Sequence, residues 1–258
     1  MFVFPKIDPI AVYLGPLPIR WYGLMYLLGF FVAWFLGVQR IRAGRGFCTA
    51  EQWLDVIFYS VCGVVIGGRL GYLLFYTPLH LLSDPLSLFR TWEGGMSFHG
   101  GLLGVALALW VVSKRYRVSY WVVTDFLVPL VPLGLGLGRV GNFINQELWG
   151  RVTDVPWAIV FPRAGALPRH PSQLYAVFLE GLLLFGILWL FSKPKRPAGQ
   201  ISGLFLISYG IIRCFEECWR EPDRHLGYIL FDWVTMGQLL SLPMIVFGLF
   251  LYIRAVRR

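Results

Sequence analysis

The sequence predicts an all-α polytopic membrane protein: seven transmembrane helices, with a small external cap of short strands and loops near residues 150–171. Three observations predict it. Of 258 residues, 57% are hydrophobic and only 14% charged, with a mean hydropathy of +0.64, whereas a soluble domain carries about 25% charged residues. Several apolar runs are long enough to cross a bilayer. Twelve of the 23 basic residues fall in four clusters that contain no acid: Arg40–Arg45, Lys114–Arg117, Lys193–Arg196 and Arg254–Arg258. Basic clusters in alternate loops follow the positive-inside pattern and not that of a nucleic-acid surface, despite the net charge of +9. No linker or low-complexity stretch marks a second domain, so residues 1–258 read as one integral membrane domain.

Each element can be justified in order. Residues 1–20 form a short amphipathic lead-in outside the membrane, with only Lys6 as an early cation and no cleavable signal peptide. The first span, about Trp21–Val38, ends at the cytoplasmic cluster Arg40–Arg45, which leaves the N-terminus outside. Tyr22 at its outer end is either an interfacial belt tyrosine or a site residue. The second span, about Trp53–Tyr76, carries Gly63, Gly67 and Gly71 at four-residue spacing, a face suited to close helix packing. Arg69 lies among them and either snorkels to the interface or meets an anion in the bundle. After an amphipathic outer loop, a third span of about Gly94–Val112 opens GGMSFHGGLLG and exits at the second basic cluster.

The fourth span, about Trp121–Gly138, contains Pro129 and Pro132, breaks tolerated where freed backbone groups are buried in protein or line a cavity. It leads into GLGLGRVGNFINQELWG at 134–150, where the glycines are expected to end the helix just before Arg139, Asn142, Asn145, Gln146 and Glu147. The polar stretch 150–171 around the strand-like Trp157–Phe161 supplies the cap, with two or three short strands. A fifth span, about Gln173–Phe191, has HPSQLY at its outer mouth. A sixth, about Ile201–Phe215, leads to an external loop holding Glu221, Asp223, Arg224 and Asp232. A seventh, about Thr235–Ile253, leaves the C-terminus inside.

The polar residues suggest where chemistry sits. An arginine directly after so apolar a run as 121–138 is costly without an anionic partner. On the sixth span Tyr209, Arg213, Glu216, Glu217 and Arg220 share roughly a 100° arc at 100° per residue. That face is either a self-satisfied salt-bridge ladder or part of a site. Topology brings His99, Arg139 and Arg213 to the same outer side. Two arginines suit a phosphate, most naturally of a phospholipid headgroup, and histidine titrates near neutrality as a proton acceptor should. The bland alternative pairs each arginine with a nearby glutamate. Gly136, Gly138 and Gly141 match GxGxxG but follow a membrane helix, not a strand, so no dinucleotide site is implied. Ser97 and His99 are two apart and do not face each other on a helix. Cys48, Cys62, Cys214 and Cys218 form no CxxC pair and read as spectators.

Five blocks together resemble the prolipoprotein diacylglyceryl transferases, bacterial membrane enzymes that lipidate lipoprotein precursors. They are IRWYGLMYLLGF at 19–30, GGMSFHGGLLG at 94–104, GRVGNFINQELWG at 138–150, HPSQLYA at 170–176 and YGIIRCFEECWREPD at 209–223. They run in the family's order over essentially the whole chain; Ala176 stands where members often have glutamate. The resemblance implies transfer of the sn-1,2-diacylglyceryl group of phosphatidylglycerol to the lipobox cysteine thiol of a preprolipoprotein. The products are a thioether and glycerol phosphate, with no cofactor or metal. It implies His99, Arg139 and Arg213 as catalytic residues, with His99 or arginine assistance activating the thiol. It also implies Arg139 and Asn142 at the headgroup, and binding or supporting roles for Tyr22, Glu147, Tyr209, Glu217 and Arg220. The expected partners are phosphatidylglycerol, the lipobox peptide and membrane lipids, with no nucleic acid. The expected location is the bacterial cytoplasmic (inner) membrane, with the site toward the outer leaflet. The same buried arginines would also suit a transporter or channel for an anion, a reading weakened by the lack of an evident inverted repeat; a non-catalytic lipid-binding scaffold is a third reading.

Overall fold

The computed structural model describes residues 2–222, 227, 229 and 233–257. Asp223, Arg224 and Asp232 of the expected external loop, and Arg258 of the last basic cluster, lie outside the described residues. The chain is mostly helical. Among the described residues four helices are long and apolar enough to cross a membrane: Trp21–Arg45, Ala50–Tyr76, Ser172–Phe191 and Met236–Val256. Tyr120–Leu127 and Val131–Ile144, bent by 50°, make a fifth if the pair is one span. The helices keep large apolar side chains outward, Leu27, Phe31, Phe58, Leu103 and Leu107 each more than half exposed. Water would not tolerate so much apolar surface, but hydrocarbon does. The chain is a multi-pass membrane protein.

The helices expected as the third and sixth spans, Phe98–Arg115 and Gln200–Glu216, are 18 and 17 residues long and are not among those that qualify. At 1.5 Å per residue each reaches about 26 Å, short of a 30 Å hydrocarbon core. The chain folds as two compact units: Trp34–Phe126, and the residues up to Ala33 with those from Leu127 onward.

In the Trp34–Phe126 unit the helix Ala50–Tyr76 begins with a capping box. Thr49 Oγ1 accepts from the Gln52 backbone N–H at 3.2 Å, and Gln52 Oε1 accepts from the Thr49 N–H at 2.9 Å. Its glycine face does what the spacing predicts. A Cβ on Gly63, Gly67 or Gly71 would run into the backbone of Gly100 or Gly104, so the two helices cross backbone to backbone. The second of these helices starts later than expected. Gly94 and Gly95 have φ of +81° and +80°, and Ser97 caps the helix, its Oγ accepting from Gly100 N–H.

Arg69 does not snorkel to the surface. It is buried, and its guanidinium donates to the Ser87 carbonyl through Nε (3.0 Å) and Nη2 (2.8 Å) and to the Gly94 carbonyl through Nη1. These backbone oxygens belong to the 77–96 loop, which Arg69 ties to the helix. A planar fork with five donors can satisfy several carbonyls at once.

In the other unit, residues 10–20 form a β-hairpin, Ile10–Leu14 against Leu17–Arg20, that runs straight into the first helix. Hydropathy alone did not foretell it. The strand-like segment near 157–161 contributes Ile159–Val160, which pairs antiparallel with Pro168–Arg169 and parallel with Phe2–Val3. The expected short strands are present, with the N-terminal residues as a third member. One expectation needs correcting. The glycines of GLGLG do not end a helix; they lie inside Val131–Ile144, which carries Arg139 and Asn142 on its body. The proline break falls earlier, at the 50° bend between Leu127 and Val131. Glycine is permitted here because packing, not propensity, sets the helix. A Cβ on Gly29 would lie 3.3 Å from the Gly134 Cα, and one on Gly136 would lie 3.0 Å from the Gly181 Cα.

Candidate active site

The Gly136–Gly181 crossing determines what happens one turn later. It sets Val131–Ile144 directly against the Ser172–Phe191 helix, whose middle, Val177–Leu183, is widened into π-helical turns. Such turns are uncommon and recur at functional sites. Glu180 sits in this segment, fully buried. Its carboxylate receives Arg139 as a fork, Nε to Oε2 at 2.7 Å and Nη2 to Oε1 at 3.1 Å. Arg213 from Gln200–Glu216 approaches the same carboxylate, its Nε 3.7 Å from Oε1. Two guanidiniums thus share one buried anion. Gly136→Leu should push this crossing apart and cut activity about a hundredfold, as misplacement near 1 Å does. Wild-type turnover in that variant would mean the crossing does not set the pair.

Each nitrogen of Arg213 faces a carboxylate. Its Nη1 donates to Glu216 Oε2 at 2.9 Å and its Nη2 to Glu217 Oε1, while Arg220 stands 3.5 Å from the same Glu217 oxygen. Three arginines and three glutamates therefore compose one network, and their side chains are at most 18% exposed. Tyr209, one turn before Arg213, is electrostatically coupled to Glu180, Arg213 and Arg139 and stacks on Phe205. Among the described residues the hydrogen bonds of Arg139 use Nε and Nη2, which leaves Nη1 to donate to another partner. The pairing of each arginine with a nearby glutamate is thus realised, Arg213 with Glu216 and Glu217 and Arg139 with Glu180.

A second cluster adjoins it on the same helix. Asn142 is buried and its Nδ2 donates to Glu147 Oε2 at 3.3 Å, with Asn145 Nδ2 at 3.4 Å from Oε1. Tyr22 lies over Gly141, where a Cβ would come within 2.6 Å of its ring, and its hydroxyl is 3.5 Å from that of Tyr26. It packs on Val131–Ile144. Glu147 is held between two left-handed residues, Gln146 (φ 54°) and Leu148 (φ 56°). Left-handed conformations cost non-glycine residues of order 1–3 kcal/mol and persist where the surroundings over-determine them. Here the surroundings are the HPSQ segment: Gln173 Nε2 donates to the Glu147 carbonyl at 2.6 Å and Ser172 Oγ to the Leu148 carbonyl at 2.9 Å. Beside Glu147 opens a cavity of about 220 Å³ lined by Asp8, Arg20, Asn145 and Arg163 among others.

The 150–171 segment is sewn to the end of the Arg213 helix. Gly150 N–H donates to the His170 carbonyl at 2.9 Å and Arg151 N–H to the Trp219 carbonyl at 2.8 Å. The Arg151 side chain reaches the carbonyls of Arg220 (3.1 Å) and Glu217 (3.0 Å). His170, outside the spans, is held below its ordinary pKa by partial burial, and its Nδ1 lies 3.1 Å from the Tyr175 hydroxyl.

A family model described as prolipoprotein diacylglyceryl transferase matches residues 9–254. The chain belongs to the prolipoprotein diacylglyceryl transferase family. Curated relatives agree over the full length. The phosphatidylglycerol–prolipoprotein diacylglyceryl transferase of Coxiella burnetii (strain RSA 331 / Henzerling II) is 56% identical over 248 residues, 96% of this chain and 95% of that protein. That of Pseudomonas paraeruginosa (strain DSM 24068 / PA7) is 54% identical over 258 residues, 100% of this chain and 97% of that protein. The class follows with the family: a membrane transferase of lipoprotein biosynthesis.

Within this family member the structure brings Arg139, Arg213, Glu217, Arg220 and Tyr209 into one cluster, and Tyr22, Asn142 and Glu147 into its neighbour. His99 belongs to the other unit, exposed in the first turn of Phe98–Arg115. Sequence reasoning missed Glu180, the hub of the network, and left Gln173 and Glu216 without a role. A signal for Glu180 was there. It is the only charged residue of Ser172–Phe191, and a carboxylate inside such a run is expensive unless it is paired.

Proposed function

We propose that this protein transfers the diacylglyceryl group of phosphatidylglycerol to the lipobox cysteine of a preprolipoprotein, the first step of bacterial lipoprotein maturation. In this reading the chain crosses the inner membrane seven times, with the N-terminus outside, the C-terminus in the cytoplasm and the site toward the outer leaflet. The whole chain then acts as one membrane domain, with residues 150–171 as an external cap that guides the precursor peptide. One observation carries it within this family: a buried carboxylate that holds two arginines, with Arg139 keeping free donors.

The chemistry has a definite charge flow. The cysteine sulfur attacks the glyceryl carbon that bears the phosphate, an S–C bond forms, and the C–O bond to phosphate breaks with its electron pair on the departing oxygen. Glycerol phosphate leaves and the thioether stays. The thiolate is the competent nucleophile, so the thiol proton must be taken up, a role assigned here to His99. Negative charge grows on the phosphate, where Arg139 supplies donors in a partly dehydrated setting in which electrostatic stabilisation is strongest. Glu180, Glu216 and Glu217 hold the guanidiniums so that little reorganisation accompanies the reaction. Tyr22, Asn142 and Glu147 form the adjoining wall of the headgroup site.

Detergent-purified protein mixed with phosphatidylglycerol and a lipobox peptide should yield a peptide heavier by one diacylglyceryl group. Arg139→Ala and His99→Gln should each slow its formation roughly a hundredfold or more. Substrate flux across proteoliposomes without a covalent product would favour the anion-transporter reading. Lipid binding without turnover would favour the scaffold.

A further inference from the structure

The helix that carries His99 is held in two ways, and only the first comes from its glycines. Gly100 and Gly104 lie against Gly63, Gly67 and Gly71, so the body of Phe98–Arg115 sits backbone to backbone on Ala50–Tyr76. His99 precedes that crossing. It is exposed in the first turn, where the direction of its side chain depends on how the chain enters the helix.

The entry is a turn with little to fix it from within. Gly94 and Gly95 both have positive φ, +81° and +80°. Glycine reaches such angles freely, but it also loses more conformational freedom than any other residue when one is imposed. Support comes from outside, from residues 68–72 of the neighbouring helix. The Ser97 N–H donates to the Gly68 carbonyl at 2.9 Å. Met96 lies over Gly68, where a Cβ would come within 2.7 Å of its Cε. A Cβ on Gly95 would run into the ring of Tyr72, and one on Gly71 would lie 3.2 Å from the Ser97 Cβ. Amid these contacts Arg69, 3% exposed, donates to the Gly94 carbonyl through Nη1. Its Nε and Nη2 reach the Ser87 carbonyl at 3.0 and 2.8 Å.

Both ends of the 94–97 turn are therefore tied, one to Arg69 and the other to Gly68 beside it. Ser97 passes the constraint into the helix. Its Oγ accepts from the Gly100 N–H at 3.3 Å and its carbonyl from the Gly101 N–H at 3.0 Å. The fork also joins Ser87 to Gly94, so the preceding loop and the entry turn share one anchor. A planar guanidinium can hold two carbonyls in a fixed relation, which a lysine ammonium, a point charge, cannot. Burying an arginine requires no particular carbonyl; these hydrogen bonds end on the turn that delivers His99.

We infer that Arg69 is a positioning residue for the transfer reaction: its fork on the Ser87 and Gly94 carbonyls sets the entry turn of Phe98–Arg115 and thereby aims the His99 imidazole. The inference rests on the transferase reading, in which His99 takes the thiol proton. Arg69 itself touches neither substrate and acts through His99.

The test measures peptide lipidation and amide hydrogen exchange on detergent-purified wild type, Arg69→Lys, Arg69→Gln, His99→Gln and the double variant of the last two. Arg69→Gln should lower kcat roughly ten- to a hundredfold, and no further than His99→Gln does. KM for lipid and peptide should stay within about twofold, because a proton acceptor works in the transition state. Arg69→Lys keeps the charge without the fork and should recover part of the loss. In the His99→Gln background, Arg69→Gln should cost less than about a further twofold, the non-additivity of two residues that act through one group. Exchange of amides 94–101 should quicken at least about tenfold in Arg69→Gln, while amides 105–112 of the same helix keep the wild-type rate.

Full additivity of the two losses, an unchanged kcat, or a loss seen in KM alone would overturn the inference. So would failure of both Arg69 variants to fold, since Arg69 would then be a prop of the whole unit. Unaltered exchange at 94–101 in Arg69→Gln would remove the clamp whatever the transfer rates. A wild type that lipidates no peptide while Arg69→Gln loosens 94–101 would instead overturn the transferase reading and leave the clamp standing.

Discussion

Glu180→Gln is expected to abolish measurable transfer, a loss of at least roughly a hundredfold, and to destabilise the protein by about 3–5 kcal/mol, the usual cost of removing one partner from a buried ion pair. Glu180 is fully buried and faces Arg139 at 2.7 Å and Arg213 at 3.7 Å. The amide nearly matches its shape, but it presents an NH₂ group where a guanidinium already donates and supplies no charge. Arg139 and Arg213 would then repel each other with Glu216 and Glu217 to balance them, and Arg139, whose hydrogen bonds among the described residues all go to Glu180, would lose its position first. Glu180→Asp keeps the charge on a shorter stem and should recover part of both losses. Thermal unfolding in detergent and peptide lipidation by the folded fraction would measure the two effects separately. Wild-type lipidation by Glu180→Gln would show that the arginines hold their geometry without it.

Gly150→Ala should be nearly as damaging although it adds a single methyl group. A Cβ at this position would lie 2.6 Å from His170 Cβ and 2.7 Å from both the His170 and Trp219 carbonyl oxygens. Two of these three obstacles are backbone atoms, so no side-chain rotation relieves the clash. Overpacking of this kind costs about 1–3 kcal/mol. The larger effect should be on turnover. Gly150 bridges to Arg220 and lies beside Arg151, whose side chain bonds the carbonyls of Glu217 and Arg220. Displacing this bridge shifts the end of the helix that carries Arg213, and about 1 Å there is enough for a hundredfold loss. Gly186→Ala is the matched control, because a Cβ there meets nothing within 4 Å; it should unfold no earlier than wild type and turn over at the same rate. Equal activity of the two variants would mean that the Gly150 crossing has no hold on the site.

Much of this was legible in one dimension. The helices Ala50–Tyr76, Ser172–Phe191 and Met236–Val256 start and stop close to the expected boundaries because apolar length and end signals are local properties. Thr49 with Gln52, and Thr235 with Gln238, form capping boxes that can be read from four consecutive letters. The glycine face of Gly63, Gly67 and Gly71 was readable as a packing surface for the same reason. The clustering of Tyr209, Arg213, Glu217 and Arg220 followed from helical periodicity, all four lying within twelve consecutive residues of chain. The N-terminal hairpin was not legible, since pairing of Ile10–Leu14 with Leu17–Arg20 leaves no hydropathy signature. Nor was the true course of the Gly134–Gly138 stretch. Isolated glycines suggest a helix end unless a neighbouring helix packs against them, and here Gly29 and Gly181 do.

The sequence by itself determined the solvent, the helices and the family, because apolar length, basic clusters and motif spacing are all written along the chain. It also determined that buried charges had to find partners, because an unpaired charge at membrane depth is too costly to keep. Only the tertiary structure decided which partners. Arg69 found backbone carbonyls, Arg213 found Glu216 and Glu217 on its own helix, and Arg139 found Glu180, 41 residues away. Hydropathy records what a charge costs, but not which atom offsets that cost. The choice depends on how closely two backbones approach, and for Arg139 that approach is set where Gly136 crosses Gly181.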